Sequence, residues 1–273
     1  MLNRDEIKDF FKLQNSHAKK ELGQNFLCNK KTIDQIIDLC ELKKEDKLLE
    51  IGPGLGALTN DLIGKADNFT VVEYDAKFVD YLSRCYSEKN VNIVKMNILK
   101  FNDFSFNKIV SNLPYYITSD ILLYVALNFK DLDLGIFMMQ KEAYKRIVAK
   151  RGSEDYGVLN IVLSYVFNME QKIAVSRTSY FPMPDVDSVV CKFVRKDVDE
   201  KKIKPLLTTC RTCFLNRRKT LFNNLNTIIH DKNYTESIIL DLGYEKCCRA
   251  EELSLDDFLR LTDKLLSLKL IKE

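Results

Sequence analysis

The sequence has no long apolar run. Although 46% of its 273 residues are hydrophobic, no stretch approaches the roughly 18 to 20 apolar residues that a membrane-spanning helix needs. The opening residues, Met-Leu-Asn-Arg-Asp-Glu, hold no hydrophobic core of a secretory signal. A cytoplasmic protein with no membrane partner is therefore expected. Histidine is nearly missing too: His17 and His230 are the only two, and neither stands in a catalytic constellation, so both are expected to be solvated or packed. The net charge is only +3, too little for a protein that coats nucleic acid with positive field over its whole surface. Internal repeats and low-complexity tracts are absent.

Cysteine is plentiful by comparison, with eight, yet Cys28, Cys40, Cys85 and Cys191 are scattered singly among apolar or helical positions. Cys210-Arg-Thr-Cys213 has ligand-like spacing, but its best partners, the adjacent Cys247 and Cys248, are too close together to repeat it. Reduced thiols and no metal are expected. At this length the chain has room for one large domain with a small companion.

What is there is organised around Lys47-Leu-Leu-Glu50-Ile-Gly52-Pro-Gly54-Leu-Gly56. Leu48, Leu49 and Ile51 read as a buried strand, residues 52–56 as a turn and residues 57–63 as the start of a helix. Glycine at every second position permits positive φ and close approach of the backbone to a ligand. About twenty residues on, a second strand, Phe69-Thr-Val-Val-Glu73, ends in a carboxylate. These are the parts of an adenine-nucleoside site in which the acid accepts from ribose hydroxyls. Gly52, Gly54 and Ala57 also meet the looser dinucleotide fingerprint. By itself the stretch leaves nicotinamide, flavin and S-adenosylmethionine open.

The pattern then repeats. Residues 76–86 read as an amphipathic helix, 91–96 as a strand with Asn97 at its end, 108–111 as a strand, 118–128 as a helix and 134–139 as an apolar strand. Strands alternating with helices make a doubly wound, mostly parallel sheet that binds ligands at its strand carboxyl ends, where Glu73, Asn97 and Asn112 fall. Strands at 172–175 and 186–194, joined by a turn holding Phe181-Pro-Met-Pro184, add a C-terminal antiparallel hairpin. The expected fold is α/β, a Rossmann-like domain over 1–196 followed by a small all-helical domain over 197–273. The first 25 residues read as a basic arm, Lys19-Lys20 included, whose Gln24 and Asn25 beside Phe26-Leu27 are placed to close over a ligand.

Asn112-Leu113-Pro114-Tyr115 follows a strand directly. It puts a carboxamide, a fixed backbone and an aromatic face at the mouth of the cleft, which suits a planar aromatic amine. Such an amine is a poor nucleophile because its lone pair is delocalised. If the Asn112 side-chain oxygen and the Leu113 carbonyl accept its two hydrogens, the lone pair is aimed at an electrophile. Pro114 fixes the turn, Tyr115 stacks on the base, and Phe181 covers the other face. The nitrogen loses its proton only after the methyl arrives, so no histidine or cysteine is required.

Local charge is more informative than net charge. Residues 201–230 carry seven lysines and arginines and no acid, and residues 141–151 carry five against Glu142. Lys145, Arg146, Arg217, Arg218 and Lys219 are the candidate phosphate contacts.

On these residues the chain resembles the ribosomal RNA adenine dimethyltransferases. The likeness covers Lys20–Leu27, Glu50–Gly56, Glu73, Asn112–Ser119, Tyr156–Leu159, Phe181–Ser188 and Phe214–Leu225. It implies a class I methyltransferase domain and S-adenosylmethionine as donor. It further implies dimethylation of two adjacent adenosines near the 3′ end of small-subunit ribosomal RNA, with a role in maturing that subunit. The implied cofactor residues are Gln24, Asn25, Leu27, Glu50, Gly52, Gly54, Gly56, Glu73, Asn97 and Asn112; the catalytic ones are Asn112, Leu113, Pro114, Tyr115 and Phe181. The implied partner is the small ribosomal subunit with its RNA, met by a monomer.

Leu113 and the stretch from Phe214 to Leu225 favour the small-subunit branch over relatives that methylate large-subunit RNA. Two positions depart from the family. Asn97 stands where an aspartate is usual, and its carbonyl oxygen is expected to accept from the cofactor's adenine amine more weakly; Tyr116 stands where asparagine is more common. An assembly factor without catalysis and a DNA adenine methyltransferase are the competing readings.

Overall fold

Alternating strand and helix segments set the architecture. The structure, a computed structural model, describes residues 3–15, 17–18 and 24–272; the Lys19-Lys20 part of the expected arm lies outside them. In chain order the first half runs α1 (Arg4–Leu13), β1 (Phe26–Leu27), α2 (Lys30–Leu39), β2 (Lys47–Ile51), α3 (Thr59–Leu62), β3 (Asn68–Glu73), α4 (Ala76–Cys85), β4 (Asn92–Lys95), β5 (Lys108–Asn112), α5 (Thr118–Asn128) and β6 (Leu134–Gln140). There follow α6 (Lys141–Ile147), α7 (Val158–Val166), β7 (Phe167–Val175), β8 (Tyr180–Phe181) and β9 (Ser188–Arg195), then α8 (Ile203–Cys213), α9 (Leu221–Ile229), α10 (Lys232–Asp241) and α11 (Leu255–Ser267).

Seven strands form one sheet in the order β4-β3-β2-β5-β6-β9-β7. The five from β4 to β6 are parallel, and β9 joins β6 antiparallel. This is the expected doubly wound, Rossmann-like sheet. Strand order reverses between β2 and β5, so a crevice opens beyond Ile51 and Asn112, the switch point where such sheets bind ligands. The central strands are largely apolar on both faces, as strands covered on both sides must be; Leu48, Leu49, Val71, Val110, Ile136 and Val190 are all buried.

The chain divides into two compact units, residues 1–144 with 168–195 and residues 145–167 with 196–273. One break falls after Arg195, and the second unit is discontinuous, taking in residues 145–167 as well. Its inserted segment carries α7, which packs on α8, and loops tied to the C-terminal helices: Tyr156 Oη donates to the Leu253 carbonyl (3.0 Å) and Gly152 N to that of Glu251 (2.9 Å). The helix is apolar nearly all round, so its periodicity names no partner.

Two further differences from expectation concern the ends of the cofactor half. The helix after the glycine turn is only four residues long. The presumed arm begins as a helix, α1, closed by a capping box between Asn3 and Glu6, with Ile7 and Phe10 buried. Among the described residues, no helix is long and apolar enough to cross a membrane.

Candidate active site

The glycine turn joins the end of β2 to α3 with Gly52 and Gly54 at φ of 66° and 58°. That region costs a side-chain-bearing residue about 1 kcal/mol or more. The turn is tied to β3 by Glu73, whose Oε2 accepts from Gly54 N (3.0 Å) while Oε1 accepts from Tyr74 N (2.7 Å) and Asp75 N (2.8 Å). Burial pushes the Glu73 carboxyl upward despite these three bonds. Its Oε2, with one donor, retains room to accept another. Glu50, beneath the turn, is 2% exposed and takes a bond from Thr59 Oγ1 (2.7 Å). Burial pushes it to about 8, and the nearby Glu73 adds to the rise.

These groups line a cavity of about 390 Å³ at the switch point. Of the residues expected at the cofactor, Gln24, Asn25, Leu27, Glu50, Gly52, Gly54, Glu73, Asn97 and Asn112 all line it. Gly56 does not. Its φ is 82° and a Cβ there would stand 2.7 Å from Tyr86 Oη, so close packing against the end of α4 is what calls for glycine. Further residues complete the walls: Phe26, Ile51, Phe78, Ile98 and Ile121 are apolar, Tyr74 and Tyr116 stand exposed, and Asp75 adds a third carboxyl group to those of Glu50 and Glu73. Helical period or strand alternation marked most of these as core, and nothing in the sequence distinguished wall from interior.

No lysine or arginine is among the described residues of the lining. A dinucleotide brings a pyrophosphate, and three acids with no cation form a poor site for it. They suit S-adenosylmethionine, whose sulfonium and ammonium groups are positive, and the apolar walls suit its adenine.

At the crevice edge the Asn112 carboxamide donates its Nδ2 to the Asn25 carbonyl (3.2 Å). With the donor end held, the side-chain oxygen is the end left to accept. Leu113 is buried outside the lining, and its N–H bonds the Met138 carbonyl (2.9 Å), which fixes the peptide plane. Pro114 lines the cavity. Tyr115 does not; its hydroxyl lies 3.0 Å from Ser188 Oγ on β9 and burial raises its pKa. Phe181 pairs with Phe26 through the short β1–β8 ladder, half-buried and also outside the lining. Thus Asn112 and Pro114 face the cavity, and the two aromatics stand outside it. Among the described residues no cluster of three or more histidine, cysteine or acidic side chains is placed to hold a metal, and all eight cysteines are free thiols.

The basic candidates all belong to the second unit. Two clusters about seventy residues apart in sequence meet at one loop. Arg146 Nε is 3.8 Å from Asp155 Oδ1, while Arg217 donates to the carbonyls of Tyr156 (3.0 Å) and Glu154 (2.6 Å). Arg217 also lies over the Phe214 ring, and a Cβ at Gly157 would come within 3.2 Å of its Nη1. Its guanidinium therefore holds the loop together. Arg218 and Lys219 are exposed beside it.

A family model described as ribosomal RNA adenine dimethylase matches residues 15–266. The chain is 38% identical over 240 residues to a ribosomal RNA small subunit methyltransferase A of Malacoplasma penetrans, covering 86% of each. The protein so named in Francisella tularensis subsp. novicida is 36% identical over 258 residues, 91% of this chain and 97% of the other. Among solved structures, a dimethyladenosine transferase from Plasmodium falciparum has a TM-score of 0.76 at 25% identity, covering 89% of this chain and 98% of that one. The 23S rRNA methyltransferase ErmE, with a TM-score of 0.62 at 23% identity over 88% and 99% of the two chains, shares the fold.

Two outcomes follow from the cavity's polar groups. Unfolded, Glu50 ionises near 4.5, whereas folded it keeps its proton to about 8. Its burial therefore weakens the fold progressively as pH rises between those values. Glu50→Gln should match the wild type in urea unfolding near pH 4.5 and exceed it by on the order of a few kcal/mol above pH 8; a gap that does not grow with pH would refute this. Asn97 uses its side-chain oxygen to cap the next turn, accepting from Leu99 N (2.9 Å). That oxygen has one lone pair left to accept with, and the other end of the side chain is an NH2, a poor match for an adenine amine. Asn97→Asp keeps the cap and adds an acceptor, so calorimetry should show S-adenosylmethionine binding about three- to tenfold tighter.

Proposed function

The chain belongs to the ribosomal RNA adenine dimethylase family, and from that premise we propose that it dimethylates two adjacent adenosines near the 3′ end of small-subunit ribosomal RNA during maturation of that subunit. It is an S-adenosylmethionine-dependent methyltransferase. The observation that carries the reading is the juxtaposition of an acidic cavity, with no lysine or arginine among its described lining residues, with the Asn112 carboxamide at its edge. When bound, S-adenosylmethionine supplies an electrophilic methyl group.

The chain's own groups do the rest. The Asn112 oxygen and the Leu113 carbonyl accept the two amine hydrogens of adenine and aim the lone pair, at a cost already met by the bond from Asn112 to Asn25. Pro114 keeps the turn rigid. Tyr115, tethered through Ser188, offers its ring to one face of the base, and Phe181 covers the other. The proton leaves the nitrogen after transfer, so no side chain of neutral pKa is needed as base.

Lys145, Arg146, Arg218 and Lys219 supply phosphate contacts around the 154–156 loop that Arg217 organises. The small-subunit branch is favoured by relatives at 38% and 36% identity that are named for that subunit. We read the protein as a cytoplasmic monomer.

Transfer of labelled methyl to small subunits, large subunits and duplex DNA tests the reading. Label should appear as dimethyladenosine in small-subunit RNA alone. Asn112→Ala should lower transfer by about a hundredfold or more while subunit binding persists; equal loss of both would remove its assigned role. Label on large subunits would move the protein to the other branch, and tight binding with no label would make it an assembly factor. Replacing Arg218 and Lys219 with glutamine should weaken subunit binding and make its salt slope shallower by about 1.4. An unchanged slope would leave that patch as solvated surface.

A further inference from the structure

Helix α1 lies ahead of the residues that the family model matches, which begin at 15. It is nonetheless fastened to the site. Phe10 packs against Phe78 (ring centroids 5.8 Å apart) and Tyr81 (5.2 Å), and Phe11 against Phe26 (5.9 Å). Phe26 and Phe78 are walls of the cofactor cavity. The helix is therefore held in one orientation by the wall it covers.

That orientation sorts its charges. The helix carries three cations and three acids, yet they are not mixed around its circumference. Arg4, Lys8 and Lys12 recur every fourth residue, so they form one stripe along the border of the buried face. Asp5 and Asp9 lie farther out. The stripe runs beside β8: Arg4 Nη2 donates to the Thr178 carbonyl (2.8 Å), and Lys8 Nζ stands 5.7 Å from the centre of the Phe181 ring. Lys8 also meets Asp5 at 2.9 Å, but both are largely exposed and such a pair is easily exchanged for another anion. At the Arg4 end a second cavity of about 390 Å³ opens, lined by Arg4, Thr178 and Ser179 with Asn3, Asp5, Cys28 and Asn29.

We propose that α1 is an RNA-docking ridge, its Arg4–Lys8–Lys12 stripe contacting backbone phosphates of the nucleotides that flank the adenosine held at Phe181. Spacing and place support phosphodiester as the partner. The cations follow one another at about 6 Å along the helix, comparable to successive phosphates of an extended strand. The middle cation of the stripe, Lys8, also stands over the aromatic ring that the functional reading gives to the target base. The proposal rests on that reading.

The test is the full-length chain with Arg4→Gln, Lys8→Gln and Lys12→Gln combined. These side chains are exposed, and the capping box and apolar face are kept. Binding to small subunits is measured across a salt series, with calorimetry of S-adenosylmethionine and wild-type methyl transfer on the same samples. The expected result is unchanged S-adenosylmethionine affinity, subunit affinity about tenfold lower at moderate salt, and a salt slope shallower by about 2, as three lost phosphate contacts on a single strand require. An unchanged slope overturns the proposal, whether affinity falls or not; a fall would then assign the stripe to a non-ionic or protein contact. Weaker S-adenosylmethionine binding overturns it too, because the helix would then act by bracing the cavity. Wild-type chain that fails to methylate small subunits would instead sink the substrate reading beneath it.

Discussion

The carboxylate of Glu73 ties the glycine turn to the end of β3 through three backbone N–H groups, two of them from the residues that follow it and one from Gly54. Three bonds on a buried acid are what make its burial tolerable, since an unpaired buried carboxylate costs several kcal/mol or takes up a proton. They also make the acid the hinge of the site. The turn cannot shift without unsatisfying Glu73, and Glu73 cannot turn away without freeing Gly54. The position of Gly54 and that of the remaining acceptor oxygen follow from this one contact.

The second constraint is electrical. Three acids share the cavity lining with no lysine or arginine among the described residues, and Glu50 holds its proton to about 8. An arrangement that disfavours its own negative charge is stabilised by a positive ligand. This separates the two nucleoside readings that the glycine turn leaves open, because a pyrophosphate would add anions where acids already compete.

At the edge, positioning is shared among elements far apart in the chain. Asn25 holds the Asn112 amide, the β6 backbone holds Leu113, and Ser188 on β9 holds the Tyr115 hydroxyl. The stretch from Asn112 to Tyr115 is short and local in sequence, yet Asn112, Leu113 and Tyr115 are each oriented by a different element. A surface turn of the same composition would have none of these restraints.

Much of this was legible in the chain because it depends on short-range pattern. The apolar run 48–51, the glycines that need positive φ, the acid closing 68–73 and the 118–128 helix follow from local steric and hydrophobic periodicity. So did α1 in principle: Asn3 and Glu6 form a capping box ahead of Ile7, Phe10 and Phe11, a signal obscured by the alternating charges around it. Other features have no local signature. Gly56 answers to Tyr86, thirty residues away. The apolar α7 joins the C-terminal helices because hydrophobic burial is non-directional and only packing chooses the partner. Arg217 looks like any surface cation until the carbonyls of Glu154 and Tyr156 are brought to it. The sequence by itself determined the alternation of strands and helices, the glycine turn and the residue types of the Asn112–Tyr115 stretch, because each lies within a few neighbouring residues; tertiary structure alone decided which glycine packs, which cation braces and which faces line the cavity, because those depend on contacts between residues far apart in the chain.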